Sequence, residues 1–308
     1  MIKLTSILLL LFSTSLFSDE FDVPKDEMGK TGIYTVEQPG VPIHKDYEEI
    51  WRHDRDKPLP KDPTGKFYVT KLAKAKFKIY APETYSPTIP SGILFLGVTD
   101  SYGIKIDEAI EYLKNTVKQK NLILITIDTK IPDIAKVADD TLQHQTEYSL
   151  LIRRSIDIIK ERYKTDQDRT ISVSGMLESR SLFKTAICCP DIFKSNALFK
   201  GPAMFYDNMP DPSGKKILSF GFQDQEITTI GKASKNNFLF HYMTFAEDAK
   251  DKVLEKKNLD HVKNLFKRNG FTNTEFSEIK VNTKFDPDMK ERDEYLIFKT
   301  SVDKIEPK

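Results

Sequence analysis

Two continuous apolar runs constrain the fold of this chain more than any other feature. Residues 93–96 (ILFL) and 122–127 (LILITI) carry no charge, and each is short enough to be one strand. Strands that are apolar on both faces are typical of parallel sheets covered by helices on both sides. A helical pattern at 106–120 lies between the two runs, as a parallel crossover requires. The sequence therefore predicts an α/β fold with a doubly wound, mostly parallel sheet.

The same alternation of strands and helices continues along the chain, and no internal repeat is visible. Further strands are predicted at 75–81, 170–174, 196–199, 216–221 and 274–279. Further helices are predicted at 139–163, 179–189 and 259–269. These elements belong to one large domain, which we place at residues 67–308. Within it, the polar and aromatic stretch 225–260 forms either a cap insertion or a surface insertion packed on the core.

The amino terminus is typical of a secretory signal peptide over residues 1–18. Lys3 precedes the apolar run 7–12, small residues follow that run, and cleavage is predicted after Ser18. The run is shorter than the roughly 20 residues that cross a bilayer. We therefore expect a secreted or periplasmic protein that is not membrane-bound after cleavage. Residues 19–66 contain six prolines and no sustained periodicity, which predicts an extended N-terminal arm.

Charge and residue usage exclude several functional classes. Lys and Arg total 47 and Asp and Glu 46, so the charge gives no reason to expect a nucleic-acid partner. The five histidines are too scattered for a zinc site, and no Walker or dinucleotide glycine pattern is present. The acidic residues at 286–293 lack the glycine of a calcium-binding loop. The sequence therefore predicts no metal and no cofactor.

The most informative segment runs from Tyr163 to Phe193. A polar turn precedes the strand 170–174, and Gly175, a helix and the sequence Pro190-Asp191-Ile192-Phe193 follow. This order resembles the nucleophile-elbow region of the α/β-hydrolases, and is most similar to secreted esterases and polyhydroxyalkanoate-depolymerase-like proteins. The resemblance extends over roughly residues 75–300. It implies an α/β-hydrolase fold and a site built from a serine nucleophile, an acid and a histidine base.

The nucleophile position implied by this resemblance does not hold a serine. Aligned on Gly175 the position is Leu177, and aligned on Pro190 it is Met176. Neither side chain can attack a carbonyl carbon. Ser179 is an alternative nucleophile, although it is predicted to lie within the helix beyond the turn.

The residue at the implied acid position matches the family pattern, whereas the residue at the implied base position does not. The resemblance implies an acid at Asp224, which follows the strand predicted at 216–221. It implies a histidine base after the last strand, where this chain has Lys284. A protonated lysine cannot accept the serine proton near neutral pH. His241, the histidine nearest to Asp224 in sequence, is the alternative base.

The oxyanion loop implied by the resemblance follows the strand at 93–96 and begins with Gly97 and Val98. Backbone amides in this loop bind the developing oxyanion in active enzymes. Asp100 places a negative charge in the same loop, which is unfavourable for that role.

These observations lead to two main hypotheses. The first is a catalytically degenerate α/β-hydrolase relative, a pseudoenzyme that binds a small-molecule or polymer ligand, or a partner, through the inherited pocket. The second is an active carboxylic-ester hydrolase that uses Ser179, Asp224 and His241. A structural or adhesion module that uses the N-terminal arm is a third hypothesis. The sequence names neither a ligand nor an oligomeric state.

Overall fold

The computed structural model describes residues 23–38, 41–42, 67–68, 75–98, 105–128, 138–175, 178–200, 236–244, 270–280 and 292–305, with single positions between 260 and 267. The predicted signal peptide and the strand predicted at 216–221 lie outside these residues. None of the described helices combines the length and apolar character needed to cross a bilayer.

Ten strands, four α-helices and one short 3-10 helix (Lys25–Glu27) are described. The strands are β1 (Gly32–Gln38), β2 (Val41–Pro42), β3 (Phe67–Tyr68), β4 (Ala75–Ala81), β5 (Ser91–Gly97), β6 (Leu122–Ile127), β7 (Thr165–Ser174), β8 (Ser195–Lys200), β9 (Asn237–Thr244) and β10 (Thr274–Lys280). The helices are α1 (Ile106–Gln119), α2 (Ala138–Arg162), α3 (Glu178–Cys188) and α4 (Arg292–Ile305).

Eight of these strands form one sheet in the order β1-β4-β6-β5-β7-β8-β9-β10. β4 runs antiparallel to both of its neighbours, and the remaining pairs are parallel. The predicted mostly parallel, doubly wound sheet is confirmed. β2 and β3 form a separate antiparallel pair.

Helices cover both faces of the sheet, and the central strand shows why the apolar runs are continuous. All seven residues of β5 are buried. Ile93 and Phe95 pack in the core beneath α2 and α3. Leu94 and Leu96 pack on the opposite face, with residues of α1 and α4. Because successive side chains of a strand point to opposite faces, a strand covered on both sides needs apolar residues at every position.

β1 is a strand that the sequence analysis did not predict. It lies at the edge of the sheet, antiparallel to β4, within the segment assigned to the N-terminal arm. Tyr34, Val36 and Gln38 are buried, whereas the residues between them are exposed. The inward-facing set has only three members and one is a glutamine, so the alternation is too short and too polar to indicate a strand.

β9 is a second difference from the sequence analysis. Residues 237–244 were placed in the alternative cap or surface insertion at 225–260, but they form a strand between β8 and β10. Phe238 and Leu239 are buried in the cores on opposite faces of the sheet. The mixture of polar and aromatic residues concealed the strand, because a periodicity of two is not visible when both faces are covered.

The N-terminal strap, defined as residues 24–38, is bound by hydrogen bonds to the end of α2. The Glu27 carboxylate accepts a hydrogen bond from Arg162 Nη2 at 2.8 Å, and the Gly29 amide donates to the Arg162 carbonyl at 3.0 Å. The Tyr34 and Tyr163 hydroxyls are 2.6 Å apart, and Tyr163 also donates to a strap carbonyl, that of residue 30. These contacts join the strap to the segment that leads from α2 into β7.

A second buried arginine extends this connection. Arg154 is 1% exposed and donates from Nε to Gln38 Oε1 at 2.6 Å. Its guanidinium also binds both carboxylate oxygens of Glu161. Arg162, which is 4% exposed, lies 3.6 Å from the same carboxylate. The two arginines, the two carboxylates and Gln38 therefore form one network between the strap and α2.

The buried tyrosine pair predicts a loss of stability at alkaline pH. Burial raises the pKa of Tyr163, and it raises the pKa of Tyr34 as well. Because the tyrosine pKa is raised in the folded state, the stability that depends on the protonated pair is complete below about pH 10, the pKa of tyrosine in an unfolded chain. This stability is lost as the pH rises further. We expect Tyr163→Phe to be less stable than the wild type at pH 8 but to show a shallower decline above pH 10. Urea unfolding across this pH range measures both effects.

Tyr112→Phe is the matched control for this experiment, because Tyr112 is exposed on α1. It should leave both the stability at pH 8 and the alkaline decline unchanged. An alkaline decline in Tyr163→Phe as steep as in the wild type would show that the pair does not control this behaviour.

Candidate functional site

The candidate site lies where β5 and β7 end, at the carboxyl edge of the parallel strands. Loops that follow neighbouring parallel strands meet at this edge, which is where α/β proteins bind ligands. Gly97 is paired with Ser174 across the two strands. The Gly175 amide donates to the Gly97 carbonyl at 3.0 Å. The structure therefore brings the start of the predicted oxyanion loop, Gly97 and Val98, next to the predicted elbow.

Packing at this junction is tight enough to require glycine at residue 97. A Cβ atom on Gly97 would lie 2.7 Å from Ser174 Oγ and 2.8 Å from Ser174 Cβ, closer than real Cβ contacts. Gly175 is less restricted, because a Cβ there would meet the ring of Phe298 at 3.4 Å. Phe298 belongs to α4 and is buried, so α4 supports the junction from the other side of the sheet. Nothing in the local sequence around Phe298 indicated this contact.

The strand and the helix that flank the predicted nucleophile elbow are present. β7 ends at Ser174 and α3 begins at Glu178, so residues 175–177, the predicted turn, connect them, and of these three the structure describes Gly175. The two alternative nucleophile positions, Met176 and Leu177, fall within this turn. Their side chains lie outside the described residues, and their assignment stays a prediction.

The serines that flank the turn are buried. Ser174 and Ser179 are fully buried, and Ser181 is nearly so. Ser179 is the second residue of α3, and its Oγ donates to the Ser174 carbonyl at 3.0 Å. This bond joins the end of β7 to the first turn of α3. Ser179 thus has the geometry of a structural clamp, and its role as an alternative nucleophile stays a prediction.

The position of the acid depends on which strand is next to last. Asp224 was chosen because it follows the strand predicted at 216–221, and both lie outside the described residues. In the described sheet the strand beside the last one is β9, which ends at Thr244. The acidic residues that follow β9 in the sequence are Glu247 and Asp248. Asp224 therefore precedes this strand in the chain, and its assignment stays a prediction.

The position of the base is better defined by the topology. β10, the last strand, ends at Lys280, and α4 begins at Arg292. The sequence between these two elements, 281–291, includes Lys284 and contains no histidine. The side chain of Lys284 lies outside the described residues, so its equivalence to the base stays a prediction.

His241, the alternative base, is the fifth residue of β9 and pairs with Phe199 of β8. β8 lies between β9 and β7, and neighbouring strands are about 4.8 Å apart. The backbone of His241 is therefore roughly 10 Å from that of Ser174, two strands away. The described residues contain no cluster of three or more His, Cys, Asp or Glu side chains placed to hold a metal ion.

No protein-family model matches this sequence, and no curated protein is similar to it. Solved structures do match. The structure of a CE1 ferulic acid esterase, AmCE1/Fae1A from Anaeromyces mucronatus, in complex with ferulic acid, aligns with 92% of this chain and 96% of its own. The TM-score is 0.54 and the sequence identity is 10%.

Two proteins of Staphylococcus aureus align at a lower TM-score of 0.49. S-formylglutathione hydrolase (FrmB) is 13% identical, with 88% of this chain and 100% of that chain covered. The fluorophosphonate-binding serine hydrolase FphF is 12% identical, with 88% and 98% covered. The agreement with the ferulic acid esterase over nearly the whole of both chains, together with the mostly parallel sheet covered by helices, shows that this chain has the α/β-hydrolase fold.

Proposed function

We propose that this protein is an exported α/β-hydrolase-fold protein that has lost serine-hydrolase catalysis and binds a ligand at the carboxyl edge of its sheet. The observation that carries the proposal is the β7–α3 turn. Its sequence, Gly175-Met176-Leu177, offers no hydroxyl or thiol at the point where this fold exposes its nucleophile. The flanking Ser174 and Ser179 are fully buried.

The loop after β10 supports the same proposal. A serine nucleophile needs a base within hydrogen-bond reach, and neutral imidazole fills this role near pH 7. Residues 281–291 contain no histidine. Without the nucleophile no group attacks the carbonyl carbon, and without the base no group accepts the nucleophile's proton. A single substitution elsewhere therefore does not restore the reaction.

The ligand of the retained site is a small molecule, a polymer segment or a partner protein. Gly97 and Ser174 end β5 and β7 at the carboxyl edge of the sheet, where this fold class binds ligands. Ferulic acid is bound by the ferulic acid esterase to which the chain is similar. It is therefore a reasonable first probe for a thermal-shift measurement, since a ligand that binds only the folded state raises the unfolding midpoint.

Export rests on the predicted signal peptide. In a secretion experiment we expect the mature protein to begin at Asp19, after cleavage behind Ser18. Mass spectrometry of the extracellular or periplasmic fraction measures this, and an uncleaved chain in the cytoplasm would contradict it.

An active carboxylic-ester hydrolase that uses Ser179, Asp224 and His241 is the second candidate. The residues named for it are less favourable. The Ser179 hydroxyl is buried and donates to the Ser174 carbonyl, whereas a nucleophile must be exposed to its substrate. The His241 backbone is two strands from β7.

We expect no labelling of the mature protein by a fluorophosphonate probe and no hydrolysis of short-chain aryl esters above the buffer rate. A known serine esterase, tested in parallel, is the positive control for the probe. Ser179→Ala is the matched variant. Labelling of the wild type that disappears in Ser179→Ala would support the second candidate, and labelling retained in that variant would identify a different nucleophile. Either result would reject the proposed loss of catalysis.

A further inference from the structure

A stripe of small polar residues runs along β7 on one covered face of the sheet and ends at the candidate site. The hydroxyl stripe, as we define it, consists of Thr170, Ser172 and Ser174 of β7 together with Asn196 of β8. All four residues are fully buried. The intervening residues of β7, Ile171 and Val173, pack in the core with α1 and α4. Because side chains alternate along a strand, the three hydroxyls lie on the face covered by α2 and α3.

Only part of the hydrogen-bonding capacity of this stripe is used. Ser172 Oγ donates to Asn196 Oδ1 at 2.8 Å, in agreement with the pairing of these two residues across β7 and β8. Three buried atoms of the stripe, Thr170 Oγ1, Asn196 Nδ2 and Ser174 Oγ, have no hydrogen-bond partner among the described residues. Thr170 and Ser174 each lie two residues from Ser172 along β7, so their backbones are about 13 Å apart and no single small molecule contacts both. Asn196 lies opposite Ser172, between them.

Unpartnered polar atoms are costly in the interior of a protein. Most buried polar groups form hydrogen bonds, and ordered water usually provides the partner where the protein does not. The alternate residues of this part of β7, Ile171 and Val173, are apolar, so forming the strand does not itself require hydroxyl side chains. Three unpartnered atoms in the adjacent strands β7 and β8 therefore indicate small bound molecules that donate and accept hydrogen bonds.

We propose that the hydroxyl stripe is a binding site for buried water. Water is small and neutral, and it can accept from the Asn196 amide while donating to a hydroxyl oxygen. The stripe contains no ionisable side chain, which argues against a bound ion. At its upper end Ser174 packs directly against Gly97, so the stripe leads up to the β5–β7 junction. The inference is independent of the proposed loss of catalysis.

The sign of a stability change tests this site. If water binds Thr170 Oγ1, the isosteric substitution Thr170→Val removes one of its partners, and we expect the unfolding midpoint to fall by about 2–4 °C. If the hydroxyl has no partner, the same substitution removes an unsatisfied group and the midpoint rises. A rise would overturn the proposal.

Oxygen-17 magnetic relaxation dispersion of the full chain provides a second readout, because it counts water molecules with long residence times. We expect fewer such molecules in the Thr170→Val/Ser174→Ala variant than in the wild type. Ile171→Val, on the opposite face of β7, is the matched control and should leave the count unchanged. An unchanged count in the double variant would overturn the proposal whatever the midpoint does.

Discussion

A chain that begins at residue 67, the start of the domain predicted from sequence, will not fold cooperatively, whereas a chain that begins at Asp19 will. The shorter chain lacks β1, which forms seven residue pairs with β4. It also lacks Tyr34 and Val36, which are buried in the core beneath α2. Circular dichroism and urea unfolding distinguish a cooperative transition from a gradual one.

A second loss comes from the two buried arginines that the strap contacts, which would then share the Glu161 carboxylate. Without residues 24–38, Arg162 loses the Glu27 carboxylate and Arg154 loses Gln38. Both arginines are almost completely buried. Removing one partner of a buried ion pair leaves a desolvated charge and typically costs about 3–5 kcal/mol. Since whole domains are stable by only about 5–15 kcal/mol, we expect the truncation to unfold most of the protein.

A single substitution isolates this contribution. Arg162→Ala should lower the free energy of unfolding by about 3–5 kcal/mol, because it leaves Glu27 half-buried without its cation. Lys118→Ala, in the last turn of α1, is the matched control and should change stability by less than about 0.5 kcal/mol. A residue-67 chain with wild-type stability would show that the strap is a separate arm after all.

The elements that the sequence predicted well are those whose local pattern and tertiary position agree. β5 and β6 are apolar at nearly every position because both faces are covered. α1 buries one face through Ala109, Ile110 and Leu113, at the spacing of a helix. β1 and β9 were missed because their burial is set by neighbours distant in sequence, β4 for one and β8 and β10 for the other.

For the candidate site, the sequence predicted which strand ends meet but not the side-chain contacts there. The adjacency of Gly97 and the turn after Ser174 follows from parallel strand order, which the sequence indicates. The clamp that Ser179 forms on the Ser174 carbonyl could not be predicted, because a hydroxyl in the first turn of a helix can cap, face solvent or bond backward. The unpartnered atoms of the hydroxyl stripe likewise become visible only when β7 and β8 are aligned.

Gly97→Ala should destabilise the protein by about 1–3 kcal/mol, the usual range for overpacking a filled interior. The new methyl group would lie 2.7 Å from Ser174 Oγ and 2.8 Å from Ser174 Cβ. Rotation of the hydroxyl relieves only the first contact. The second involves an atom fixed to the backbone, so β5 and β7 must separate or β7 must shift, and the shift would carry the turn at Gly175 with it. Gly175→Ala is the matched control and should cost less, because its methyl group meets Phe298 at 3.4 Å.

A double-mutant cycle shows whether Ser174 is the cause. Ser174→Gly removes both of the close contacts, so the double variant Gly97→Ala/Ser174→Gly should be more stable than the sum of the two single changes implies. We expect a coupling of about 1 kcal/mol or more, measured by urea unfolding. Strict additivity would mean that the methyl group is accommodated elsewhere. Strong coupling would show that glycine at residue 97 is required by the packing of β5 on β7, whether or not the loop that follows ever binds an oxyanion.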